Sequence, residues 1–108
     1  MKPDDVRRIA LALPESTEEP HFASASFRVK RKIFATLPPP GDHLHVFIPE
    51  EHREPALALH PRFLEKLLWG GKVWGVRVVL RKAKAAVVSD LLRTAWECKA
   101  PKRLRKTA

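Results

Sequence analysis

With a single cysteine, Cys98, in 108 residues, the chain can form no internal disulfide and no cysteine-rich zinc site. It has no apolar run near the roughly 18 residues a membrane span needs. Its start, Met1-Lys2-Pro3-Asp4-Asp5, is charged and lacks the apolar stretch of a signal peptide, so export is not expected and a cytoplasmic protein is. Glycine is scarce, four in all, and the adjacent pair Gly70-Gly71 lacks the helix and Lys-Thr pattern of a phosphate-cradling loop. Acidic residues are missing from the last ten positions, which carry Lys99, Lys102, Arg103, Arg105 and Lys106.

What is present suits one small domain. At 12.3 kDa and 44% hydrophobic residues the chain can bury a modest core, with no room for a second folding unit. Its 21 Lys and Arg against 12 Asp and Glu give a formal charge of +9. Setting aside the five C-terminal cations leaves 16 bases against 12 acids, a body of only +4. A mildly basic body with a basic tail favours polyanionic partners. The competing reading is a tail that only aids solubility.

Pro3, Asp4 and Asp5 suit a helix start, and Val6, Ile9, Ala10 and Leu13 follow at helical spacing up to Leu13-Pro14. The polar run from Glu15 to Pro20 reads as a loop. Phe27 and Val29, then Ile33 to Leu37, read as a hairpin tipped by Lys30, Arg31 and Lys32. After the stiff turn Pro38-Pro39-Pro40-Gly41-Asp42, Leu44, Val46 and Ile48 alternate along a third strand ending at Pro49. Glu50 and Glu51 open a helix that Pro55 is expected to shorten or break. Phe63 to Trp69 and Val73 to Leu80 form a second hairpin around Gly70-Gly71, with Trp74, Val76, Val78 and Leu80 assigned to one face and Trp74 to the core. Val88, Leu91, Leu92 and Ala95, widened by Val87 and Trp96, mark a last amphipathic helix ended by Pro101. The predicted class is α+β: an antiparallel sheet of about five strands, two hairpins plus a third strand, with N- and C-terminal helices on one face.

Leu13-Pro14-Glu15, Phe27-Arg28-Val29 through Lys32-Ile33-Phe34-Ala35, Trp74 with its strand, and Ala95-Trp96 through Ala100-Pro101-Lys102-Arg103-Leu104 together resemble the MmcQ/YjbR family. The resemblance spans roughly residues 3 to 104. It implies a CyaY-like fold with a "double-wing" arrangement and a predicted role in binding DNA. It also implies that Pro101 to Leu104 belongs to the domain, so the domain is set at 1–104 and the basic tail at 105–108. Arg31 departs from the family, whose members commonly carry glycine there; glycine reaches positive φ without a Cβ penalty. Here Arg31 adds a third consecutive cation to the wing tip.

The nucleic-acid candidates are Lys30, Arg31 and Lys32 on the first wing, Lys72 and Arg77 on the second, and Lys102 and Arg103 near the C-terminus. Such clusters meet phosphates, although a hairpin tip is polar in any case and lysine guards a sheet edge. An exposed Trp69 would offer a surface for base stacking. His43 and His45 lie two apart on one strand and share a face, but no third ligand completes a metal site. Ser24 and Ser26 near His21 lack the glycines of a nucleophile elbow. Cys98 sits at a helix end, which opposes thiolate formation despite Lys99 and Lys102. The expected protein is non-enzymatic and cofactor-free, contacting duplex DNA through phosphates with weak sequence preference. The alternative is a module of the same fold for a protein or small ligand, using the face of His43, His45 and Phe47 or an open sheet edge.

Overall fold

The computed structural model describes residues 1–105. Pro3 occupies the first turn of helix α1 (Pro3–Leu11), where a missing N–H removes no intrahelical bond. Asp5 turns back to accept the Lys2 backbone N–H at 2.8 Å, tying down the helix start. Val6 and Ala10 form the buried stripe.

Strand β1 (Ser16–His21) follows, where the sequence suggested a loop. It is an edge strand, mostly exposed, that pairs antiparallel with β2 (Ser24–Val29) from Ser16↔Val29 to His21↔Ser24. An edge strand held by its backbone needs no apolar alternation, and charges and proline are tolerated there, which is why Glu18, Glu19 and Pro20 concealed it. The remaining strands are β3 (Lys32–Leu37), β4 (His43–Val46), β5 (Leu64–Trp69) and β6 (Lys72–Val79). The sheet order is β1-β2-β3-β4-β6-β5, antiparallel throughout, so the sheet has six strands where about five were expected.

Helix α2 (Glu50–Leu59) links β4 to β5 and runs unbroken through Pro55. Proline there removes only the N–H that would bond the exposed Glu51 carbonyl, a group water can serve. Helix α3 (Ala85–Lys99) supplies Val88, Leu91, Leu92, Ala95 and Trp96 to the core. They pack on Phe27, Val29, Ala35, Leu44, Val46, Val76 and Val78 of the sheet, with α1 beside them and Ala56 and Leu57 of α2 at the margin. The Trp96 indole N–H donates to the Pro14 carbonyl at 3.0 Å, so the largest buried side chain also satisfies its polar atom. Helix α4 (Lys102–Arg105) docks through buried Leu104. Arg105, assigned to the tail, is thus helical; the rest of the expected tail, 106–108, lies outside the described residues. No helix among the described residues is long and apolar enough to cross a membrane.

Candidate nucleic-acid interface

The two wing hairpins, β2–β3 and β5–β6, close through two-residue loops whose central residues have positive φ. In the second wing these are Gly70 (58°) and Gly71 (78°), and in the first they are Lys30 (49°) and Arg31 (70°). Such loops match the right-handed twist of the flanking strands, and glycine or asparagine is their usual occupant. Two long cations in this conformation carry strain on the order of 1 kcal/mol each. Lys32, read as part of the tip, is the first residue of β3 and faces solvent.

The strand register fixes where the tips lie. Ala35 of β3 pairs with Val46 of β4, and Val46 pairs with Val76 of β6, so the three are level. β3 and β6 both run antiparallel to β4 and therefore start at the same end of the sheet. From that level Lys32 lies three residues back and Lys72 four, about 10 and 13 Å along their strands. The strands are two spacings apart, about 10 Å, and β4 stops at Val46 between them. The chain continues between them through Phe47, whose N–H donates to the Phe34 carbonyl at 3.1 Å, and Ile48, and the two wings extend from the same end of the sheet.

The C-terminal cations reach the first wing through Glu15. Its carboxylate contacts Lys30 Nζ at 2.7 Å and the Arg103 guanidinium at 3.4 Å. The Lys30 hydrogen bond, above all, holds the Glu15 carboxyl below its ordinary value of 4.5 against the opposing desolvation, with the Lys30 and Arg103 charges adding lesser contributions. Arg103 thus sits beside Lys30, with Lys102 next to it at the start of α4. Arg77 does not join them: it lies mid-strand, opposite His45 and Glu65, 3.7 Å from the Glu65 carboxylate.

A polar row spans every strand in register, Glu19–Ser26–Thr36–His45–Arg77–Glu65, with Ser26 and Thr36 buried at its centre. Burial, then Arg77 and His43, pushes the His45 imidazole below its ordinary 6.5, so it is neutral at neutral pH. His43 and His45 are both half-buried, and among the described residues no group of three or more His, Cys, Asp or Glu side chains is placed to hold a metal. Desolvation raises the Cys98 thiol pKa despite Lys99.

Beside this row runs a groove of about 870 Å³, lined by Ile33, Thr36, His45 and Phe47 and walled by Leu68, Trp69 and Trp74. Trp74, assigned to the core from its spacing, is 45% exposed, and Trp69 is 74% exposed. The β5–β6 register shifts between Leu67 and Leu68, and this bulge turns Trp74 out of the alternation that Val76 and Val78 keep. The Trp74 indole N–H donates to the Trp69 carbonyl at 3.1 Å, and the two rings lie 6.5 Å apart. Phe22, 95% exposed at φ 56° in the β1–β2 turn, lines the same groove. Phe22 and the Glu15 junction were not singled out from the sequence: Phe22 lay between the loop read at Glu15 to Pro20 and the strand read from Phe27, in a stretch given no element, and Glu15 acts through contacts with residues 15 and 88 positions away.

A family model described as YjbR matches residues 11–98. No curated protein matches the chain. Among solved structures, the chain is similar to the crystal structure of the Deinococcus radiodurans protein DR2400, which carries the domain DUF419. The TM-score is 0.76 at 25% identity, covering 98% of this chain and 86% of that one.

Proposed function

Because the chain belongs to the YjbR family, whose model covers residues 11–98, we propose that it is a non-enzymatic module that binds duplex DNA through its phosphates. The observation that carries this reading is the register that sets Lys32 and Lys72 at one end of the sheet, with α4 tied to the first tip by Glu15. Strained Lys30 and Arg31 add support. A position that favours glycine but holds a long cation points to a role for the charge. Lys30, Arg31, Lys32, Lys72, Lys102 and Arg103 carry the contacts, all exposed; Arg77 serves the sheet face rather than the wings. Contacts of this kind position a duplex without reading its bases, so sequence preference is weak.

Fluorescence anisotropy with two unrelated duplexes across a salt series tests this. Affinity falls steeply with salt on both, and replacing Lys30, Arg31 and Lys32 together with alanine weakens both equally. The log–log slope then shrinks by as many as ~3 units. Wild-type binding by the triple variant refutes the wings as the contact surface, and no binding to either duplex at low salt removes the DNA reading.

A further inference from the structure

The groove on the sheet face brings exposed rings and cationic side chains together. Its volume is within the range of pockets that hold organic ligands. Among the described residues no Asp or Glu lines it, in a chain with 12 of them, whereas Arg53, Lys99, His21 and His45 do. Its rings are not core residues that strayed. Trp69 and Trp74 sit on the second wing next to Lys72, and the Trp74 indole is locked by its bond to the Trp69 carbonyl. A ring already fixed loses little freedom when another ring stacks on it.

We propose that this groove binds the unpaired bases of a single nucleic-acid strand, with Trp69 and Trp74 as the stacking surface and Lys72 and Lys99 beside its phosphates. The inference rests on the nucleic-acid reading above and adds the strand form. An anion carrying flat apolar rings matches a groove with aromatic walls and with Lys99 and Arg53 in its lining, Arg53 being paired with Glu54 at 2.9 Å. Enclosed small-molecule pockets bury most of their ligand. Here Trp69 and Phe22 face outward, which suits a chain passing over the surface. In a duplex the base faces are occupied by their neighbours, so the aromatic wall gains nothing from paired DNA. Combined stacking and backbone attraction is the recurrent way in which single strands are held without regard to sequence.

The test compares labelled oligothymidylate with the same strand annealed to oligoadenylate, by anisotropy at fixed salt. The single strand binds more tightly and quenches the emission of the exposed tryptophans, Trp96 being buried. Trp69→Ala weakens single-strand binding roughly 5- to 100-fold, leaves the salt slope and duplex binding unchanged, and Trp69→Phe restores most of the loss. Because Trp69 is exposed, melting of the variant beside the wild type checks that the fold is intact, and the quenching experiment needs no variant. Duplex binding without tighter single-strand binding or quenching overturns the inference and leaves the phosphate reading standing. Equal loss on both forms in Trp69→Ala also overturns it. Absence of binding to either form removes both.

Discussion

Arg31 shows what a single residue can concede. Its φ of 70° is one that glycine adopts freely and a side chain with a Cβ resists. Lys30 shares the strain at 49°. Arg31→Gly relieves it, offset in part by the greater freedom of glycine in the unfolded chain. The expected net effect is neutral to stabilising, up to about 1 kcal/mol. On the proposed DNA reading the same change removes one phosphate contact, so duplex affinity should fall and the salt slope should lose about 0.9. Melting temperature and anisotropy on one sample separate the two effects. A variant that is both less stable and equally tight would mean the arginine is there for the fold. The sequence revealed the substitution; that the loop keeps its glycine geometry and bears the strain is visible only in the backbone.

At the scale of elements, what was legible followed alternation and spacing. The hairpin at 30–31, the strand through Leu44 and Val46, and the helix carrying Val88, Leu91, Leu92 and Ala95 all bury one face, and their periodicity announces it. Elements that bury little were not legible. β1 contributes backbone hydrogen bonds and almost no apolar surface, so nothing in its composition distinguishes it from a loop. Trp74 misled because one bulge changes the parity of the residues beyond it, and a bulge leaves no mark in a period-two pattern. The residue after it, Gly75, has a clear physical requirement. A Cβ there would overlap the Val46 carbonyl oxygen and crowd the Ile48 backbone nitrogen where the chain leaves β4. These are backbone atoms that cannot swing aside. Gly75→Ala should therefore destabilise the domain by about 3 kcal/mol, at the upper end of overpacking costs, by prising β6 from β4. Urea unfolding measures it, and a loss within a few tenths of a kcal/mol would mean the two strands separate easily at that point.

For the whole molecule, the +9 charge matters less than how acids divide it among surfaces. Composition could name cations in three segments but could not show that strand order brings two wings to one end, or that one glutamate bridges the third segment and the first wing. Glu15 neutralises part of the surface it organises, since Lys30 and Arg103 both face its carboxylate. Glu15→Gln should therefore tighten duplex binding at neutral pH and steepen the salt slope by as many as ~2 units, because two cations are released to phosphates. The cations stay in place without it: the hairpin ladder holds Lys30, and buried Leu104 holds α4. Stability moves the other way. The folded-state pKa of Glu15 lies below 4.5, so the ionised carboxylate adds stability that is fully present above that value and disappears as pH falls through the lowered one. The wild type should then melt slightly above Glu15→Gln at neutral pH, and the gap should close in acid. Anisotropy at neutral pH and melting curves across the acid range read both effects from the same pair of proteins. If Glu15→Gln bound duplex no better while melting lower, the junction would serve only to hold the fold, and the cations around it would not be the ones that meet the phosphates.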